Sequence, residues 1–167
     1  PTWLRFVKGV IDSSDLPLNV SREILQQNKV MAKIKSNSVK KVLDKIKTIA
    51  KNKDKYEGFY NEFGRLLKEG VYQEFEHKEA LTELLRFKST KEDGFVSLQE
   101  YVDRMGSDQE SIYYITGTNE LALRNSPLLE MYKKKDIEVL ILDDEIDEII
   151  MPSVPAFKEK SLKSVNR

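Results

Sequence analysis

Apolar residues recur along this chain at two periods, and the change from one to the other divides it into a helical first half and a mixed second half. From Arg22 to about Lys51 no Gly or Pro interrupts, and Met31, Ile34, Val39, Val42, Leu43, Ile46 and Ile49 recur at three- and four-residue steps. That is the spacing of one helix face, and it predicts a helix of about 30 residues, roughly 45 Å long. Asp54 and Glu57 have capping-box spacing for a second helix, which turns Tyr56, Phe59, Tyr60, Phe63, Leu66 and Leu67 inward and stops at Gly70. A third, about Lys78 to Phe87, buries Leu81, Leu84 and Leu85. The short connections between the three predict antiparallel neighbours, and residues 52–86 read as a small coil of helices.

Beyond the polar loop Lys88 to Gly94 the pattern changes. Ser97 and Glu100 form another capping box, SIYYIT (111–116) and IEVLIL (137–142) read as strands, and helices separate them. Gly117 turns the chain into a helix over Asn119 to Arg124, and Ser126-Pro127 restarts one with N-cap and N1 residues in the preferred order. Such alternation predicts parallel strands joined by crossovers. At the other end, Trp3 to Ile11 mixes aromatic and β-branched residues and reads as a strand whose partners lie outside this chain. The expected fold class is α/β, mostly helical: a long helix and a three-helix coil, then a small αβα unit with a short, mainly parallel sheet. Its divisions fall at residues 1–51, 52–86 and 87–167.

Composition narrows the chemistry. With 167 residues, 40% of them hydrophobic, the chain has enough material for one domain or two small ones. It contains no Cys and a single His, His77, which removes disulfides, thiolate chemistry, cysteine-ligated zinc and histidine-rich metal sites. No apolar run approaches the roughly 20 residues that span a bilayer. Formal net charge is zero, so no bulk electrostatic argument favours nucleic acid. The chain opens within PTWLRFVKGVID, without Met or a signal peptide, and is expected to be a piece of something longer.

The sharpest chemical feature is DSSDLPLNVSREILQQ, residues 12–27. It places Arg22 in the first turn of the long helix, where the helix already carries about half a positive charge and unsatisfied N–H donors. A cation there calls for an anion. Gln26, four residues on, sits one turn above on the same face and adds a second donor. Glu23, Asp12 or Asp15 would equally neutralise Arg22 without any ligand. Asn19 or Ser21 serves as N-cap, and Pro17 keeps Leu16 extended.

Other candidates carry less. Ile115-Thr116-Gly117-Thr118 resembles the opening of a nucleotide-binding turn but holds one glycine of G-x-G-x-x-G, and a plain strand-to-helix turn explains it. In the acidic run Asp143, Asp144, Glu145, Asp147 and Glu148, Asp143 or Asp144 caps a helix whose solvated first turn welcomes negative charge. Lys29, Lys33, Lys35, Lys40, Lys41, Lys45, Lys47, Lys51, Lys53 and Lys55 go round the long helix rather than along one edge, without aromatic interleaving. Nucleic acid is therefore not expected as a partner, nor is a membrane. His77 lacks catalytic company.

Taken together, WLRFVKGVIDSSDLPLNVSREILQQ, SIYYITG, IEVLIL and IDE closely resemble the middle segment of the heat-shock protein 90 chaperones, particularly the bacterial HtpG type, in order along essentially the whole chain. The resemblance implies a cytoplasmic, ATP-driven, homodimeric chaperone of the stress response. A separate N-terminal domain holds ATP with Mg, and clients are unfolded or partly folded proteins. It implies further that Arg22 contacts the ATP γ-phosphate, that Gln26 assists there, and that residues 15–21 are the loop presenting them. The general base and the C-terminal dimerisation domain belong to absent parts, so this segment alone is not expected to hydrolyse ATP. Residues 1–51 then correspond to the end of a large αβα subdomain, 52–86 to a three-helix coil and 87–167 to a small αβα subdomain. Glu159 departs from the family, which usually has glycine there. The alternative is a helical interaction module whose basic helix binds an acidic partner or nucleic acid.

Overall fold

The computed structural model describes residues 1–12, 14 and 29–166, in two compact units, Pro1–Tyr56 and Glu57–Arg167. In the first, the expected strand at Trp3 is not formed. Thr2–Leu4 is instead a 3₁₀ turn, closed by Leu4 N–H to the Pro1 carbonyl at 3.0 Å and Arg5 N–H to that of Thr2 at 3.2 Å. An isolated strand leaves its backbone unpaired, whereas a turn satisfies it locally and still buries Trp3, 1% exposed, and Leu4. Residues 7–12 have no regular structure, and Val10 is 96% exposed. Helix α1 is described over Lys29–Ala50 and buries Val39, Leu43 and Ile46, a four- and three-residue spacing along one stripe.

Helix α2 spans Lys53–Gln73. Its start departs from the Asp54–Glu57 reading: the Asn52 side chain accepts the Lys55 N–H at 3.2 Å, and the Asn52 carbonyl accepts that of Tyr56 at 2.9 Å. Asn caps as well as Asp, and it stands where the chain turns. Nor does Gly70 stop the helix. No glycine has a positive φ among the described residues, the conformation a terminating glycine supplies. Tyr56, Tyr60, Leu67 and Val71 are buried, while Phe59, Phe63 and Leu66 are only half-buried. Gly64 leaves room for the Tyr60 ring; a Cβ there would lie 2.8 Å from it.

Helix α3, Lys78–Leu84, buries Leu81 and Leu84, with Leu85 buried just beyond. It ends short of Phe87, which instead exchanges hydrogen bonds with Val96 at 2.9 and 2.7 Å. Strand β1 (Lys88–Ser89) follows, then α4 (Leu98–Arg104), whose Ser97–Glu100 capping box closes with two 3.0 Å bonds. Strand β2 (Ser111–Thr116) leads through α5 (Glu120–Arg124), a 3₁₀ turn (Pro127–Leu129) and α6 (Glu130–Lys134) to β3 (Val139–Leu142). From there α7 (Glu145–Ile150) and a second 3₁₀ turn (Met151–Ser153) lead to β4 (Ala156–Phe157) and β5 (Lys160–Ser164). Ser126 caps its helical turn as the sequence predicts, and Asn119, expected as the first helical residue, is instead the cap of α5.

The sheet is mixed, in the order β1-β3-β2-β5-β4. Its central trio is parallel, with Tyr114 opposite Leu140 on one side and Ser164 on the other; both edge strands are antiparallel. On one face Ile115, Leu123, Leu129, Val139 and Ile141 form a core, flanked by Tyr113, Tyr132 and Val165.

The β4–β5 turn is Lys158-Glu159, with φ 50° and 66°. A two-residue hairpin of this hand requires both central residues in the left-handed region, where Asn and Gly sit without strain. Neither Lys nor Glu is suited to it. Glu159→Gly is therefore expected to stabilise the fold by about 0.4–1 kcal/mol, seen as a raised urea midpoint with unchanged slope.

Candidate functional site

Arg22 and Gln26, the residues the sequence singles out, and residues 15–21 before them lie outside the described residues. What the structure adds nearby is the helix that follows. At 3.6 residues per turn, Lys29, Lys33, Lys40 and Lys47 fall within roughly 40° of one another around α1, and all four are exposed. The expectation that the lysines simply go round the helix is corrected: Lys35, Lys41 and Lys45 do, but these four track one edge beside the buried stripe. Composition hid a further asymmetry. Residues 1–56 carry 13 Lys and Arg against 5 Asp and Glu, a formal +8, while residues 57–167 carry 15 against 23, a formal −8.

In the second unit, a ligand of an open parallel sheet would enter at the carboxyl ends of the strands, between β2 and β3, whose following helices diverge. That crevice is filled. The Gly117 N–H bonds the Leu142 carbonyl at 3.1 Å, and a Cβ on Gly117 would lie 2.7 Å from the Leu123 side chain. The glycine is a packing requirement, in agreement with a plain strand-to-helix turn. Across the opening the Lys88 ammonium reaches Asp143 at 2.8 Å and Glu120 at 3.1 Å, and Arg124 also holds Glu120. Burial opposes the Lys88 charge, but its hydrogen bonds to Asp143 and Glu120 prevail and raise its pKa above the ordinary lysine value.

The acidic run is not wholly a solvated helix start. Asp144 caps α7, and Asp147 completes a capping box by accepting the Asp144 N–H at 3.2 Å. Yet Asp147 is 1% exposed and faces the buried Lys68 of α2, whose ammonium lies 2.7 Å away. Asp144 stands 3.9 Å from the same ammonium. Burial raises the Asp147 pKa, and Lys68 only partly offsets it. Sequence spacing gave no sign of this pair because its partners are far apart in the chain. Among the described residues no group of His, Cys, Asp or Glu is placed to hold a metal.

Two further features were invisible in the sequence. Glu138 is buried and receives the Arg104 guanidinium through two bonds, 3.0 and 2.7 Å, together with the Ser89 hydroxyl. Tyr101 donates to the Glu138 carbonyl at 2.6 Å and accepts from Gln109 and from the Tyr113 N–H, and burial pushes its pKa up to about 12. Every member is satisfied within the network, which locks α4 to the sheet rather than presenting reactive groups. Second, Arg65, Tyr72, Ile146, Ile149 and their neighbours on α2 and α7 line a groove of about 240 Å³, with Tyr72 and Ile149 each 60% exposed.

Comparison with known proteins gives a consistent result. Residues 1–167 match the family model described as Hsp90 protein. The chain is 60% identical over 168 residues to the chaperone protein HtpG of Aliarcobacter butzleri, covering 99% of this chain and 26% of that protein. It is 58% identical over 172 residues to the HtpG of Treponema denticola and 54% identical over 168 to that of Borreliella burgdorferi, covering 100% of this chain and 27% of each relative. The chain thus spans about a quarter of the length of these relatives.

Breaking the buried pair has a defined outcome. Lys68→Met leaves an uncompensated buried carboxylate and is expected to cost roughly 3–5 kcal/mol, much of it regained in Lys68→Met/Asp147→Leu. For a carboxyl whose folded pKa is raised, stability is greatest below the unfolded value, near 3.8, and falls as pH rises through the folded one. Without Lys68 the folded value climbs further, so urea unfolding across a pH series should show the loss deepening and extending to higher pH.

Proposed function

The chain belongs to the Hsp90 protein family, and on that premise we propose that it is the part of an HtpG-type chaperone's middle region that completes an ATPase site held by a separate N-terminal domain. The feature that carries this reading is the sequence pattern of Arg22 after Leu16-Pro17-Leu18 and four residues before Gln26, which is expected to open the long helix. An arginine there meets the helix's own positive end and is stabilised by an incoming anion. The chemistry of this donor set, a guanidinium with an amide above it, fits a terminal phosphate.

In this mechanism ATP supplies the phosphoryl group, and a glutamate of the N-terminal domain positions the attacking water. Arg22 donates to the γ-phosphate oxygens and stabilises the charge that spreads over them as the bond to the leaving group loosens. Gln26 orients the same phosphate. The segment has no hydrolytic activity of its own. Clients are unfolded or partly folded polypeptides, and the exposed Tyr72–Ile149 groove offers apolar contact of the kind such chains seek. The whole protein is a homodimer joined by its C-terminal domain and is cytoplasmic; no described helix is long and apolar enough to cross a membrane.

A charge-assisted contact is worth roughly 1.5–3 kcal/mol, so Arg22→Ala in the whole protein is expected to slow ATP turnover about tenfold to over a hundredfold. Nucleotide affinity should change little. Steady-state hydrolysis and equilibrium nucleotide binding separate the two, and unchanged turnover would refute the assignment.

A further inference from the structure

We propose that the Lys29–Lys33–Lys40–Lys47 edge of α1 is a binding strip for a flexible phosphate polymer without bases, inorganic polyphosphate. The reading is independent of the ATPase role of Arg22. The four ammonium groups sit on one exposed edge, successive members about 6, 10 and 10 Å apart along the axis, and none is held in an ion pair with a described residue. They belong to the unit that carries the formal +8, so the surrounding field adds to their own. Asp44 is the one carboxylate within Lys29–Ala50.

The chemistry of the strip selects its occupant. Protein interfaces are depleted in Lys and anchored by aromatic, Met or Arg side chains at a desolvated centre. Here the remaining exposed residues on this side, Ser36, Asn37 and Asp44, are polar. Single-stranded nucleic acid is gripped through aromatic rings on which bases stack, and α1 has no aromatic residue. What remains is a row of flexible point charges along a straight rod. Lysine binds phosphate in that way, without the planar fork arginine gives to bidentate recognition. A linear phosphate chain can lie along such a row and release one counterion for each charge it meets.

The test is fluorescence anisotropy of the 167-residue chain with end-labelled long-chain polyphosphate, against a single-stranded oligoribonucleotide and a polyglutamate of matched charge. Polyphosphate is expected to bind most tightly, with log affinity falling linearly in log salt. Replacing all four strip lysines by Gln should weaken it at least tenfold and reduce the salt slope by about 3, at roughly 0.7 per phosphate contact on a single strand. Lys35→Gln/Lys41→Gln/Lys45→Gln, which removes three charges from the other sides of the helix, should change affinity less than twofold, and Lys→Arg at the four strip positions should retain binding. Circular dichroism checks that each variant is folded; Lys40→Gln/Lys47→Gln, with half the change, stands in if the fourfold variant is not. Equal losses in strip and control variants would reduce the effect to net charge and overturn the proposal. So would oligoribonucleotide or polyglutamate binding as tight as polyphosphate, or no polyphosphate binding at low salt.

Discussion

The parallel pairing of β2 on both of its sides organises the second unit. Parallel neighbours cannot be joined by a tight turn, so the chain must leave the sheet after β2 and again after β3 and return through helical turns. Those returns bring α5, α6 and α7 to the sheet and gather the capped starts of α5 and α7, with Lys88, Asp143 and Glu120, at the carboxyl ends of the strands. Ile115, Val139 and Ile141 then bury one face together with Leu123 and Leu129. The crevice where many α/β sheets bind a ligand is thereby spent on structure.

Buried charge shapes the remainder. Lys68 and Asp147 are both nearly inaccessible, and Asp147 serves its own helix cap as well as the ammonium opposite. A carboxylate with two such obligations fixes where α2 meets α7 more narrowly than apolar packing would, because sliding either helix strands a charge. Glu138 does the same for α4, held by Arg104 and Ser89. The exposed apolar residues Tyr72 and Ile149 are then presented on elements whose positions these ion pairs hold.

The first unit inverts this logic, since its described charged residues are exposed and its formal excess is positive. Lysines spaced at four and seven residues along α1 remain exposed while Val39, Leu43 and Ile46 take the buried stripe. Chain neutrality concealed the division, because positive and negative excess cancel between the two units. The strip stands on the helix described after Arg22 in sequence, and both proposals are directed at phosphate, terminal in one and polymeric in the other.

Local signals were read correctly wherever a short stretch of sequence decides the outcome. The Ser97–Glu100 box, the Ser126 cap and the SIYYIT strand all depend on residues within a few positions of one another, and the α/β class follows from their order. The reading of Arg22 is local as well, resting on helix electrostatics, and it lies outside the described residues. Residues whose partners are remote in the chain were not legible. Trp3 reads as strand but settles into a turn, Gly70 reads as a stop but continues a helix, and Asp147 reads as solvated but is buried against Lys68. In each case local preference is worth a kcal/mol or less, roughly, while burial and pairing are worth several, and only the tertiary structure supplies those.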